Sequence, residues 1–248
     1  MRFVVLAALA GIGLAAVWVG PMRGAAIWRV AAAGLIASPD AADTPPADAN
    51  APVADALPFP SPSAERLVRA AEGQVGVTRS YDGSYVQLDF PGGDVPSETG
   101  VCTDVLIRAA RAGLGIDLQL AVNSDMKADF AAYPANWGLT RPDPNIDHRR
   151  VPNLAVLLRR LGAELDRDGA SDTYLPGDIV TWRLPGNLPH IGIVTDRPGT
   201  DERTPMVIHN IGAGTRIEDR LFAFEITGHF RLTAPVLERL TRLGMAVQ

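Results

Sequence analysis

The stretch that decides the fold class is residues 177–196, GDIVTWRLPGNLPHIGIVTD. It has two runs rich in β-branched residues, 179–182 and 190–196, which predict two strands. The connector between them, 184–189, is rich in Gly and Pro and predicts a hairpin. Residues 206–211 predict a third strand, which ends at Gly212. Residues 221–232 are a candidate further strand.

Helical spacing dominates the chain on both sides of this stretch. Ser61 followed by Pro62 is typical of a helix start, and this helix is expected to end near Gly76. Further helices are predicted from Cys102 to Gly113, from Pro152 to Gly162, and after Thr233. Helices first and a run of strands afterwards indicate an α+β fold.

The segments between the helices are less regular. Residues 85–90 follow a turn and alternate in polarity, so they predict a short strand. Residues 114–150 contain Tyr133-Pro134 and Arg141-Pro142-Asp143-Pro144, which are markers of a loop. We therefore expect a long loop there, of the kind that is functional or mobile.

The amino terminus has the pattern of an export signal. Met1-Arg2-Phe3 precedes the uncharged apolar residues 4–20, and a second apolar stretch, 24–37, is interrupted by Arg29. This pattern fits both a cleaved signal peptide and an uncleaved membrane anchor. Residues 1–37 therefore predict a periplasmic or other extracytoplasmic protein, attached to the inner membrane if the segment is retained.

Residues 38–60 are rich in Ala, Asp and Pro and predict an extended linker, because they lack the large apolar side chains that form a core. We expect one domain over residues 61–248, which is long enough to bury a core. The net charge is -5 and the pI is near 5.4. An acidic chain without a long basic run argues against nucleic acid as a partner.

Cys102 is the single cysteine of the chain, so no internal disulfide can form. At a helix start, unpaired N–H groups and the macrodipole favour the thiolate, which would react with thiol probes well below pH 8. His190 and His209 lie on the predicted strands and can serve as base and orienting residue. Asn210 is the alternative orienting residue, and because neighbouring strand residues face opposite sides of a sheet, only one of the two can serve. We favour His209. The alternative is that Cys102 is an inert buried residue.

Other side chains are weaker candidates. Tyr81 and Asp104 are candidate substrate-binding residues, although the first lies beside a turn and the second is also a typical charge for a first helical turn. His148-Arg149-Arg150 fits an exposed loop cluster better than an anion site, and His229 fits a structural role. No short-spaced ligand pair accompanies Cys102, so we expect no metal and no cofactor.

Several unusual strings carry a resemblance to a known family. They are YDGSYV (81–86), GGDVP (92–96), TGVCTD (99–104), NIDHRRVPN (145–153), PGDIVTW (176–182), LPGNLPHIGIV (184–194) and HNIG (209–212). With them, residues 77–231 resemble the bacterial DUF1287 family. That family is in turn similar to the NlpC/P60 cell-wall peptidases of the papain-like clan, in which a cysteine starts a helix and two polar residues follow on strands. Cys102, His190 and His209 occur in that order.

The resemblance implies a papain-like fold in which the nucleophile helix packs on an antiparallel sheet. It also implies an exported thiol amidase or peptidase that acts on a cell-envelope amide such as a peptidoglycan stem peptide. Two alternatives remain open, an acyltransferase with the same Cys-His pair and a catalytically silent envelope-binding domain. The chain departs from NlpC/P60 at the nucleophile, where Asp-Cys-Ser-Gly is usual and Val101-Cys102-Thr103-Asp104 is present, and in its longer segment from 114 to 176.

Overall fold

The computed structural model describes residues 56–245. The predicted export segment, 1–37, and most of the predicted linker, 38–55, lie outside these residues. Within the described part of the chain, no helix is both long and apolar enough to cross a membrane.

Among the described residues, four α-helices precede the six-stranded sheet in the chain and one follows it. They are α1 (Pro62–Glu72), α2 (Cys102–Ala109), α3 (Leu118–Ala128), α4 (Val151–Arg160) and α5 (Ala234–Gly244). A π-helical turn, Ala110–Leu114, continues α2, and short 3-10 turns occur at Phe130–Ala132, Asp147–Arg149, Ser171–Thr173 and Pro185–Asn187.

The strands form two sheets. They are β1 (Ser80–Tyr81), β2 (Thr99–Gly100), β3 (Glu164–Leu165), β4 (Ile179–Leu184), β5 (Leu188–Pro198), β6 (Pro205–Asn210), β7 (Thr215–Glu218) and β8 (Glu225–Phe230). Strands β1 and β2 pair in parallel. The other six form one antiparallel sheet in the order β3-β8-β4-β5-β6-β7.

The main core lies between the helices and one face of the large sheet. Helix α2 packs against β5 and β6, and α4 packs against β5 and β8. A smaller apolar cluster covers the other face and contains Tyr174, Trp182, Val194 and Leu221. The indole of Trp182 donates to the carbonyl of Leu221 at 2.8 Å, which satisfies its buried N–H.

The structure confirms the α+β class and most of the predicted elements. Ser61 caps α1 by accepting the N–H of Ala64 at 3.1 Å, and Pro62 is its first residue. Helix α2 begins at Cys102, and β4 and β5 form the predicted hairpin.

The long loop predicted over residues 114–150 is wrong in its first part, where α3 lies. Asp117 caps this helix by accepting the N–H of Gln119 at 2.9 Å. Its apolar residues keep helical spacing, but Gln119 and Asn123 are buried among them. Buried polar residues interrupt the apolar stripe that the sequence pattern depends on.

The short strand predicted over residues 85–90 is also wrong. The segment has no strand partner, because side chains bind its backbone instead. The amide oxygen of Asn145 accepts the N–H of Leu88 at 2.8 Å, and Gln119 donates to the carbonyl of Asp89 at 2.9 Å. Tyr85 and Phe90 are exposed.

The folded domain begins earlier than the predicted boundary at Ser61. The N–H of Leu57 donates to the carbonyl of Asp196 on β5 at 2.7 Å. The ring of Phe59 packs against the main core and lies 5.1 Å from the guanidinium carbon of Arg69. The last residues of the predicted linker are therefore part of the domain.

We predict that deleting residues 38–55 leaves the thermal midpoint unchanged, because that segment has no apolar pattern with which to pack. Deleting residues 38–60 should instead cost about 1–2 kcal/mol of stability, since it removes Phe59 from the core. For a domain of this size the midpoint should fall by roughly 2–8 °C. Thermal unfolding of the two deletion variants measures this, and equal midpoints would contradict the packing of residues 57–60.

Candidate functional site

The Cys102 thiol lies at the first turn of α2, against the start of β5. Its side chain is buried, with 4% of the residue exposed. The backbone N–H groups of Ile191, Thr103 and Cys102 itself are directed at the sulfur. The thiol is therefore held between a helix amino terminus and the strand residue that follows His190.

The sheet is open at this position, which gives the helix room. Pairing of β5 with β6 includes Ile193 with Ile208 and continues away from the helix terminus. On β6, the amide of Asn210 donates to the carbonyl of Gly100 at 3.0 Å. Backbone and side-chain donors near the opening thus bind the turn that precedes Cys102.

Two histidines and a glutamate form a chain across the neighbouring strands β5, β6 and β7. Nε2 of His190 lies 2.7 Å from Nδ1 of His209. Nε2 of His209 lies 2.9 Å from Oε2 of Glu218 on β7. The last contact is short but off the line of the ring N–H. All three side chains are largely removed from water.

The histidine pair packs on the indole of Trp182, on the sheet face opposite the main core. The ring centroids of His190 and His209 lie 5.7 Å and 6.3 Å from that of Trp182. Gly192 lies between them, and a Cβ there would meet the indole and Cβ of His209, each at 3.1 Å. Because Ile191 faces the main core, the thiol meets β5 at its backbone, next to the residue that carries the imidazole.

Burial raises the pKa of the Cys102 thiol to about 12, and the negative charge of Asp104 adds to this, although the three backbone N–H groups oppose it. A helix terminus contributes up to about 2 kcal/mol to a partly buried charge. Removing an ion from water costs several kcal/mol. Burial therefore outweighs the helix terminus, and the thiolate expected from the sequence is replaced by a neutral thiol.

The pKa of His190 lies well below its ordinary value of 6.5, first because the ring is buried and second because His209 is beside it. Burial pushes the pKa of Glu218 upward, but the contact with His209 and the positive charges of Arg220 and Arg216 outweigh it, so this pKa is lowered. At neutral pH the site therefore holds a neutral thiol, a neutral His190 and an ionised Glu218.

The structure brings Tyr81 to the thiol. The Tyr81 hydroxyl lies beside the Cys102 thiol. Burial raises the pKa of Tyr81, and the negative charge of Asp104 raises it further, so the phenol keeps its proton. A protonated hydroxyl beside the nucleophile can donate to a substrate oxygen.

Asp104 is engaged within the protein. One carboxylate oxygen accepts from Nε of Arg149 at 3.0 Å, and the other accepts from Nη2 of Arg149 at 2.9 Å and from the N–H of Val101 at 2.7 Å. Arg149 also donates to the carbonyls of Asp82 and Ser84. Asp104 thus positions the nucleophile turn and the loop after Tyr81, while its contact with substrate stays a prediction.

The exposed loop cluster predicted at residues 148–150 is wrong. His148 and Arg149 are buried, because Arg149 is drawn inward by the charge of Asp104. Arg150 stacks on Trp137 at 4.0 Å from the ring centroid. His229 lies in a buried network, with Nε2 at 2.7 Å from Asp178, whose carboxylate also binds Arg231. Over residues 56–245, no group of three or more His, Cys, Asp or Glu side chains is arranged to hold a metal ion.

Sequence reasoning missed Glu218 because it assigned no strand to residues 215–218. A signal was present in residues 215–218, TRIE, where one buried isoleucine alternates with charged neighbours. In the sheet, Arg216 pairs with His209 and Glu218 with Val207. Paired residues share a face, so both charged side chains lie on the histidine side of the sheet.

Comparison with known proteins places the chain in a family. The family model for the domain of unknown function DUF1287 matches residues 68–232. The chain is 52% identical over 165 residues to the uncharacterized protein YijF of Escherichia coli (strain K12), an alignment that covers 66% of this chain and 80% of YijF. No solved structure matches. The motifs around Cys102, His190 and His209 all fall within the matched residues, and the chain belongs to the DUF1287 family.

Proposed function

We propose that this protein is a thiol amidase or peptidase that acts on a cell-envelope amide, with peptidoglycan stem peptides as the substrate class. The observation that carries the proposal is the placement of the Cys102 thiol against Ile191, the residue next to His190, whose ring is bound to His209 at 2.7 Å. The candidate nucleophile thus lies against the residue that follows the candidate base on β5, and the candidate orienting residue is bound to that base.

The proposed reaction begins with the neutral pair. The sulfur of Cys102 attacks the amide carbon, while His190 takes the thiol proton on Nδ1, the ring nitrogen that His209 does not engage. The C–N bond then breaks, and His190 gives that proton to the leaving amine. Water, deprotonated by His190, hydrolyses the thioester and frees the thiol.

The donors around the sulfur suit the charge that develops on the carbonyl oxygen. The N–H of Cys102 lies at the helix terminus, and the Tyr81 hydroxyl lies beside the thiol. Either group can stabilise an oxyanion in a site with little water. Tyr81 is therefore assigned a contact with the substrate carbonyl, and Asp104 holds the turn that carries Cys102.

The similarity to NlpC/P60 peptidases supports the class of reaction and a papain-like arrangement. In both, a cysteine begins a helix and two polar residues follow on strands of an antiparallel sheet. This site differs from that of the NlpC/P60 peptidases in the residues around Cys102. It also differs in the long segment before His190, which contains α3. An envelope substrate also fits the export-type pattern of residues 1–37.

We predict that Cys102→Ala and Cys102→Ser abolish the release of fragments from purified peptidoglycan. Alanine has no nucleophile, and a serine hydroxyl is a much weaker one beside the same neutral base. Both changes are small, so thermal midpoints should stay close to that of the wild type. Mass analysis of the released fragments is the measurement.

The wild-type digest also separates the alternatives. Fragments ending in a new amine and carboxylate identify hydrolysis, whereas fragments joined to an added amine identify acyl transfer by the same thioester. If no fragment is formed or changed by the wild-type protein, peptidoglycan hydrolysis is contradicted, and acyl transfer and envelope binding without chemistry are the two alternatives left. Full activity in Cys102→Ala would exclude the thiol mechanism.

The pH dependence should follow the lowered pKa of His190. A base works only when unprotonated, so kcat/KM should stay constant down through pH 6.5 and fall only at pH values well below it. The thiol should react slowly with iodoacetamide at pH 7–8 and faster as the pH rises towards 12. Rapid labelling at pH 7 would show that the resting site is a thiolate instead.

Variants of His209 and Asn210 should differ in their turnover. His209→Ala removes the ring that orients His190 and should lower turnover strongly, with a residual rate from Cys102 and His190. His209→Asn and His209→Gln should recover part of the loss, since an amide oxygen can accept the ring N–H. Asn210→Ala should act mainly on stability, because its amide binds the carbonyls of Gly100 and Ser80. A severe kinetic defect in Asn210→Ala alone would reassign the third residue.

A further inference from the structure

Glu218 has a place in the site that the proposed reaction does not yet use. We propose that Glu218 fixes the tautomer of His190 through the intervening ring of His209, so that Nδ1 of His190 is the unprotonated nitrogen. This rests on the proposed function in one respect only, that His190 is the base for Cys102. Glu218 is then a positioning residue that acts through another side chain.

The contact between the two rings imposes a choice. Two imidazole nitrogens 2.7 Å apart form a hydrogen bond only if one carries a proton and the other does not. With both rings neutral, there are two arrangements. In the first, Nε2 of His190 donates to Nδ1 of His209, and in the second, Nδ1 of His209 donates to Nε2 of His190. The first arrangement leaves Nδ1 of His190 free to accept a proton, and the second places an N–H there.

Glu218 selects the first arrangement. An ionised carboxylate only accepts hydrogen bonds, so Nε2 of His209, at 2.9 Å from Oε2, must carry a proton. A neutral His209 protonated on Nε2 has an unprotonated Nδ1, which then accepts from Nε2 of His190. A proton on each Nε2 therefore leaves His190 with a lone pair on Nδ1.

The off-line geometry of the Glu218 contact does not remove this selection. An unprotonated ring nitrogen would face a negative oxygen at the same distance in a largely buried setting, where such repulsion is strong. Arg220 lies 3.5 Å from the other carboxylate oxygen, and Arg216 is the β7 residue paired with His209. These cations favour the ionised carboxylate, and Trp182 offers the rings no competing acceptor.

The test reads the tautomers directly. The full-length chain has four histidines, so selective ¹⁵N labelling of histidine in detergent-solubilised protein gives a small set of ring signals. Long-range ¹H–¹⁵N spectra at pH 7.5 should show His190 and His209 each protonated on Nε2 and unprotonated on Nδ1. In Glu218→Gln this pattern should be lost at His190, because an amide both donates and accepts and does not select one tautomer.

Glu225→Gln is the matched control, since Glu225 is an exposed sheet glutamate that pairs with Arg183 at 3.1 Å. Its histidine pattern should equal that of the wild type. His190 protonated on Nδ1 in the wild type would overturn the proposal, and this result does not depend on whether any variant folds. A wild-type pattern retained in folded Glu218→Gln would also overturn it.

Turnover gives a second, separable readout. On peptidoglycan, Glu218→Gln should lower kcat by about twofold or more with KM unchanged, in proportion to the fraction of His190 that no longer has an unprotonated Nδ1. If the wild type shows the expected tautomers but no turnover, the proposed function is refuted and the role of Glu218 stands. Turnover that depends on Cys102 with the opposite tautomers would refute the role of Glu218 alone.

Discussion

The buried ion pair between Asp104 and Arg149 is the interaction on which the candidate site depends. The Asp104 side chain is 4% exposed and the Arg149 side chain is 2% exposed, and two parallel hydrogen bonds join them. One partner lies in the first turn of α2, and the other lies in the turn before α4. Removing one of two such buried partners typically costs about 3–5 kcal/mol, because the remaining charge is left without water or a counter-ion.

The same pair organises the backbone around the nucleophile. Asp104 binds the N–H before Cys102, and the carbonyl of Arg149 accepts from the hydroxyl of Thr103 at 3.1 Å. Arg149 holds the loop after Tyr81, and Arg108 binds the carbonyls of Val95, Pro96 and Thr99 further along it. A long irregular segment is thereby ordered by arginine side chains instead of by a strand partner. Gly100 leaves room there, since a Cβ would lie 3.1 Å from an oxygen of Asp104.

Burial and the helix terminus act in opposite directions on the pKa of the Cys102 thiol, and burial has the larger effect. A thiol at an exposed helix start loses its proton readily, but this thiol is covered by Tyr81 and the β5 backbone. The site then resembles a serine hydrolase in its resting charges, with a neutral nucleophile and a neutral imidazole. In such a site the position of the imidazole proton matters, and the His190, His209 and Glu218 chain is the structural feature that controls it.

The sequence by itself determined the elements whose signals are local. The cap and proline of α1, the start of α2 at Cys102, the β4–β5 hairpin and the α+β order all follow from turn chemistry and apolar periodicity, which act over a few residues. The candidate nucleophile and both histidines could be nominated in the same way, and strand alternation alone placed His209 and Asn210 on opposite faces. The structure shows that separation, with His209 at His190 and Asn210 at Gly100.

Only the tertiary structure decided what depends on distant partners. Helix α3 was missed because Gln119 and Asn123 are buried by contacts that no local pattern reveals, and residues 85–90 are not a strand because Asn145 and Gln119 take their backbone groups. The place of β8 beside β4, the burial that keeps Cys102 protonated, and the approach of Glu218 to His209 likewise arise between segments far apart in the chain. Burial and charge pairing are properties of the assembled environment, so a sequence read in short windows contains no measure of them.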